Sequence, residues 1–424
     1  MVVSRRWTGP IPLVALLLIA CSSGDDDDGP RTVRFEFCPG DAPTWMAQQD
    51  GRTGTWRRVT PTSATTWDFA FTSDRGGIAR AYADDTRSSV WIFLGSTDEL
   101  VRVAGFRGWR DCDSRSEVNA TVAGVPEEHV AIVNLGGRTL QASEGPLLIT
   151  NVLDGTWPLV AVRANRVGFD DIAERIILRR GISVAGTTTL SPSIDFDNAE
   201  SFAAATANLT VTSLDPADGE ARVRTLLDTD DGGSATLSQV RMSSATNTKT
   251  YGAIPTGELG ASDLQAFQVQ LFGPNRLTYV HFRTVADRSV AVGPVLATPT
   301  IGNAATMPNL RPRVQLPVQP EYSRLVYATF YQRNASRFVE VQATSAYYGT
   351  PSSWDVVVPD FTGVDGWDVS WGLDPAHQYE SRVVAYGGTR QYFDVPADGD
   401  IYRYADGPQP QPVAQDVAPQ PFSR

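Results

Sequence analysis

The sequence predicts an all-β chain made of several β-sandwich modules in tandem. Three observations lead there. Apolar and polar residues alternate at a period of two in many short runs. The 36 Gly and 28 Pro interrupt those runs at short intervals, as the turns of a sandwich require. Patterns at the helical period are few. With 42% hydrophobic and 20% charged residues, the chain can bury cores and falls outside the disordered class.

The N-terminus comes first. Arg5 and Arg6 precede an apolar stretch over 11–20, IPLVALLLIA. A charged n-region before a short h-region reads as a secretion signal. Ten helical residues span only about 15 Å, half of a bilayer core. The stretch closes on Leu18-Ile19-Ala20-Cys21, which resembles the lipobox of bacterial lipoproteins. The resemblance implies cleavage after residue 20 and acylation of Cys21, so that the lipid is the chain's contact with the membrane. Ser22 at the next position resembles the sorting pattern for the outer membrane. Residues 21–31 then form an acidic tether with Asp25, Asp26, Asp27 and Asp28 in a row. Four adjacent carboxylates repel one another and stay extended. Such a run after the acylated Cys also resembles a surface-export tether.

Four modules follow. Residues 32–115 hold Cys38, Cys112 and five of the ten Trp. Val33, Phe35 and Phe37 alternate there with Arg34 and Glu36. Residues 116–190 read as a compact series of strands broken at Gly145 and at Asp154-Gly155. Their order, with Trp157, Leu159 and Ala161 after that turn, loosely resembles the transthyretin-like or carboxypeptidase-regulatory-like β-sandwich. The resemblance implies a structural module with no catalytic residues. Residues 191–310 are a Thr- and Ser-rich β region, with Leu209 and Val211 alternating against Thr210 and Thr212, and Phe267, Val269 and Leu271 against Gln268 and Gln270. Residues 311–406 form the last β region, with Val339, Val341 and Ala343 on one face. Residues 407–424 are rich in Pro and Gln and read as a disordered tail. Two stretches are ambiguous. Residues 170–180 fit a short helix through Ile172 and Ile176 or a strand over 175–178. Residues 197–207 fit one or two helical turns capped by Asp197.

If Cys21 is acylated, Cys38 and Cys112 remain, and an oxidising envelope favours a disulfide between them. Closing that loop of about 75 residues stabilises by roughly 4 kcal/mol in the chain-entropy model.

Chemistry is hard to find. The net charge of −12 argues against a nucleic-acid partner or an anionic membrane as partner for the chain as a whole. His129, His281 and His377 are far apart and fit no metal spacing. Residues 181–185 lack the second Gly of a nucleophile elbow, and the single Lys, Lys249, lies in no phosphate loop. Asp228-Thr229-Asp230-Asp231-Gly232-Gly233 resembles part of a calcium loop, with Asp228 and Asp230 as candidate ligands, but lacks the distal Glu and flanking helices; an acidic β-turn is the plainer reading. The best binding signal is aromatic. Trp354, Phe361, Trp367 and Trp371 stand close to Asp355, Asp360, Asp365 and Asp368. Trp354, Trp367 and Trp371 either line a ligand face that stacks on sugar rings or fill a sandwich core. Trp45 and Trp56 pose the same choice from two strands joined by a turn over 50–54.

The reading is therefore a lipid-anchored, non-enzymatic protein of the outer membrane or cell surface, serving as a binding or scaffold module with no cofactor and an unknown protein or glycan partner. The alternative is a surface lipoprotein that binds or degrades glycans.

Overall fold

In a computed structural model, residues 30–84, 86–105, 114–186, 190–229, 233–273, 275–390 and 394–407 are described. The fold is all-β.

The N-terminal region contributes β1 (Arg31–Glu36), β2 (Trp45–Asp50), β3 (Arg57–Val59), β4 (Thr66–Phe71), β5 (Arg75–Ala83), β6 (Ser88–Ser96) and α1 (Thr97–Gly105). β1 pairs with β4, and β3-β2-β5-β6 form a second sheet. The predicted alternation in β1 holds: Val33 and Phe35 are buried while Arg34 and Glu36 are exposed. They pack with Phe69, Phe71, Met46, Ile78 and Phe93, and α1 closes this core with Leu100 and Val103. α1 lies where no helical period stands out in the sequence. Its start is a capping box: Ser96 Oγ accepts from the Glu99 N–H at 3.2 Å, and Glu99 Oε2 accepts from the Ser96 N–H at 2.8 Å.

A second region runs through β7 (Arg115–Ala123), β8 (His129–Leu135), β9 (Arg138–Ala142), β10 (Gly145–Leu153), β11 (Gly155–Val167), β12 (Asp170–Val184) and β13 (Ser193–Asp195). Sheet β10-β7-β13 faces sheet β9-β8-β11-β12 across Val118, Val133, Ile149, Leu159, Ile177 and Phe196. The two sheets form a sandwich that runs from Arg115 to Asp195. Residues 170–180 are strand. Ile176 and Ile177 are both buried, each in a different core, because β12 is covered on both faces. Strands buried on both faces lose their alternation, which explains the ambiguous pattern.

The third region comprises β14 (Phe202–Ala203), β15 (Ala205–Thr212), β16 (Ala221–Asp228), β17 (Ser234–Met242), β18 (Thr248–Ala253), β19 (Leu264–Leu271), β20 (Arg276–Phe282) and β21 (Arg288–Ala291). Here β18-β15-β21 pack on β17-β16-β19-β20 through Leu209, Val211, Val223, Tyr251, Phe267 and Phe282. Of the stretch 197–207, where one or two helical turns are expected, residues 197–201 form a turn in which the Ser201 N–H donates to the Asn198 carbonyl at 3.1 Å, and β14 and β15 take the rest by pairing with β12 and β18.

The last region adds β22 (Thr300–Ala305), β23 (Arg311–Pro317), β24 (Leu325–Gln332), β25 (Arg337–Thr344), α2 (Ser345–Tyr348), β26 (Ser353–Val357), β27 (Glu380–Gly388) and β28 (Ile401–Asp406). Sheet β22-β23-β26 covers β25-β24-β27-β28.

Two seams join these regions. β25 pairs in parallel with β6, and β28 pairs with β20, so one ribbon of strands runs from β3 to β17. The N-terminal and C-terminal regions also share a core: Trp45, Ala79 and Ile92 pack with Val326, Val341, Val383, Leu316 and Trp354. The segments 32–115 and 311–406, read from sequence as separate modules, are thus joined. Long-range parallel pairing has no local signature, and this is why the sequence suggested beads on a string. The second and third regions meet over Val130, Ile132, Val162, Leu227, Leu237 and Ile254.

Candidate functional site

The shared core ends in a cluster of rings. The loop after β26 carries Phe361, Trp367 and Trp371 back over the sheet, where they meet Trp45 of β2 and Trp56 beside β3. Ring centroids lie 5.0 Å apart for Trp45–Trp367, 5.3 Å for Trp45–Phe361, 5.1 Å for Trp56–Phe361 and 5.5 Å for Trp367–Trp371. Most of these contacts are edge-on, the geometry that aromatic quadrupoles favour. Trp45 Nε1 donates to the Asp365 carbonyl at 3.0 Å, and Arg58 pairs with the Asp365 carboxylate at 3.2 Å. Asp368 caps the turn Val369–Trp371 by accepting from the Ser370 N–H. The acids near these Trp therefore organise the loop.

The row of three Trp proposed as a ligand face does not form. Trp354 is 1% exposed, inside β26. Trp367 and Trp371 are half-buried and give their rings to each other and to Trp45. Trp354 alternates inward with Val356, so its strand position dictates its burial.

Beside the cluster lies an open groove of about 450 Å³, bounded by the turn after β2, by α2 and by β26, and lined by Gln49, Arg52, Trp56, Arg311, Tyr347, Tyr348, Asp355 and Asp360. Its walls are held in place. Gln49 Nε2 donates to the Gly54 carbonyl at 2.8 Å, and Tyr347 Oη donates to Gln49 Oε1 at 2.8 Å. Tyr348 Oη donates to the Asp355 carbonyl at 2.8 Å, and the Arg52 guanidinium sits 5.0 Å from the Tyr348 ring centroid. Gly77 is required behind the groove, because a Cβ there would stand 2.8 Å from the Trp56 ring. Asp355 forms two 2.6 Å bonds with Arg313, which hold its carboxyl below the usual range. Partial burial pushes Asp360 up, but the Thr362 N–H and side chain and Arg311 outweigh it and leave the carboxyl lowered. Both carboxylates are therefore ionised at neutral pH. The sequence reading named Trp56, Asp355 and Asp360 but missed Arg52, Tyr347 and Tyr348. The adjacent tyrosines of SAYYG, after Thr344 as N-cap, were the available signal.

The other candidates lie elsewhere. Asp228 ends β16, its Oδ2 3.9 Å from His281 Nε2, and His281 is fully buried. Burial pushes Asp228 up to about 6 and His281 down to about 4, Arg390 adding to the latter. No group of three or more possible metal ligands gathers among the described residues. Asp230 lies outside the described residues. His129 faces Glu174 at 3.0 Å and His377 faces Asp374 at 3.3 Å. Cys38 is 3% exposed and disulfide-bonded; Cys112, Cys21, the tether before residue 30 and the tail from 408 lie outside the described residues. No helix among the described residues is long and apolar enough to cross a membrane.

No family model matches this chain, and neither a curated protein nor a solved structure matches it.

Proposed function

We propose that this chain is a lipid-anchored, non-enzymatic binding protein of the bacterial outer membrane. Its ligand site is the groove between Arg52, Trp56, Tyr348 and Asp355, and its anchor is an acyl group on Cys21. The groove carries the reading: aromatic rings stand next to ionised, hydrogen-bonded side chains in fixed positions, a composition that suits a hydroxylated ligand such as a glycan.

Binding is favoured over glycan hydrolysis by the state of the acids. A glycosidase needs one carboxyl that holds its proton near neutral pH. Asp355 and Asp360 are both shifted the other way. The raised carboxyls, Glu340 and Asp228, do not line the groove. The anchor reading rests on the lipobox-like run, and the pairing of Cys38 with Cys112 on the bonded state of Cys38.

A glycan array probed with the chain from Ser22 onwards, beside Trp56→Ala and Tyr348→Ala, tests the groove. Binding lost in both variants supports it; binding unchanged in both removes it. Mass spectrometry of the mature N-terminus, with fractionation of Cys21→Ser, tests the anchor. An unacylated Cys21, or a Cys21→Ser chain still retained in membranes, would sink that half of the reading.

A further inference from the structure

The ribbon of strands has a second face, turned away from the shared core, and over β16 and β17 it carries arginines. Arg222 and Arg224 are two apart on β16 and so project to the same side. Arg241 of β17 stands opposite Arg222 in the register. Arg222 and Arg224 are not paired with carboxylates among the described residues as others in the fold are: Arg276 pairs with Asp218, and Arg382 with Asp406 at 2.9 Å. Arg224 is half-buried, and its partners are the neutral amides of Gln239 at 3.1 Å and Gln268 at 3.3 Å. Arg222 makes no hydrogen bond or ion pair among the described residues, and its Nε is buried without a partner. Only Arg241 has an acid, Glu220 at 3.1 Å. Burial and the charge of Arg222 both lower the pKa of Arg224. A half-buried cation beside a like charge is costly unless something neutralises it.

Two exposed rings flank these cations. Phe169, 70% exposed at the tip of the β11–β12 hairpin, lies 4.0 Å from the Arg241 guanidinium. Phe272, 51% exposed after β19, lies 5.0 Å from that of Arg222. The two tips come from different sandwiches and meet at this one arginine pair. The Gln270 side chain points into the same row, opposite Arg222 on β19.

We propose that Arg222 and Arg241, between Phe272 and Phe169 and with Arg224 beside them on β16, form a binding site for an oxyanion carried by a saccharide: a sulfate, phosphate or carboxylate group on a hydroxylated ring. The forked guanidiniums suit a planar or tetrahedral oxyanion, the rings suit a sugar face, and the amides of Gln239 and Gln270 suit hydroxyls. The site is separate from the groove and stands whether or not the groove binds anything. The chain's charge of −12 repels polyanions elsewhere, so binding there is local and salt-sensitive.

The test uses the chain from Ser22 onwards, which keeps every described residue and cannot be acylated. Its probes are dextran sulfate, neutral dextran, inorganic phosphate, and vesicles of phosphatidylglycerol or phosphatidylcholine. Expected are binding of dextran sulfate but not of dextran, competition by phosphate, and at least a tenfold loss in Arg222→Gln. Without an oxyanion, Arg222→Gln should unfold at about the same temperature as the parent chain, because the ring contact with Phe272 that it loses is offset by the repulsion from Arg224 that it sheds. That readout also shows that the variant is folded. Equal binding of both dextrans, binding of neither, or an affinity unchanged in Arg222→Gln overturns the proposal. Binding of phosphatidylglycerol vesicles without dextran sulfate overturns it too, and reassigns the site to a lipid surface.

Discussion

Trp45, near the beginning of the fold, meets Trp367, near its end, edge-on with ring centroids 5.0 Å apart. The contact belongs to a core that both terminal regions build together, beside the parallel pairing of β6 with β25. Neither region can close its hydrophobic face without the other. A fragment ending at residue 115 should therefore fail to show a cooperative unfolding transition, whereas the intact chain shows one. Trp45→Ala should destabilise the intact chain by about 3–5 kcal/mol, the usual cost of truncating a buried aromatic. Denaturant titration followed by circular dichroism checks both. A fragment that unfolds cooperatively on its own would show that the shared core is dispensable.

Glu340 predicts a pH effect. It is 1% exposed on β25 and accepts hydrogen bonds from Tyr327 Oη at 2.8 Å and Gln342 Nε2 at 2.7 Å. Burial pushes its carboxyl up to about 7 from 4.5, against those bonds and Arg80. The folded state therefore holds a proton that the unfolded state has released between pH 4.5 and 7. Its contribution to stability is full below about 4.5 and is lost as pH rises through 7. Glu340→Gln should gain on the parent by about 1–3 kcal/mol between pH 5 and pH 8. Urea titrations at the two pH values measure this, and a constant difference between the chains refutes it.

His281 acts in the opposite direction. Buried against Asp228, it is held down to about 4, chiefly by burial. Protonating it in the unfolded chain favours unfolding, so its contribution is full above about 6.5 and falls as pH drops towards 4. A His281→Gln chain should lose less stability than the parent between pH 6.5 and pH 4. The same slope in both chains would mean that the ring titrates freely.

The sequence made some of this legible and hid the rest for physical reasons. Alternation located strands with one covered face, as in β1 with Val33 and Phe35. It failed in β12, where Ile176 and Ile177 are buried in two different cores. The capping box Ser96–Glu99 was present in the sequence, but it follows a strand and opens a short helix. The Trp-rich loop was correctly picked as unusual, yet its rings serve the shared core. That outcome depends on β6 meeting β25, which no local pattern encodes. The groove was found only in part, because its floor and walls come from segments near both ends of the described chain.

The disulfide gives the last prediction. Cys38 is buried and bonded at the end of the aromatic run Phe35–Phe37, where Phe37 meets Trp67 at 5.3 Å. A bond from Cys38 to Cys112, the pairing proposed above, would close a loop of about 75 residues that contains β2 to β6 and α1. A thiol titration of the unfolded, unreduced chain from Ser22 onwards should find no free thiol, and after reduction it should find two. Reduction should cost roughly 4 kcal/mol if the loop's chain entropy is the main term, and less if the native packing of Phe35, Phe37 and Trp67 holds the strand unaided. Cys112→Ala should reproduce the loss and free the Cys38 thiol. If Cys38 stays blocked in that variant, its partner is another chain, and the first core is closed by packing alone.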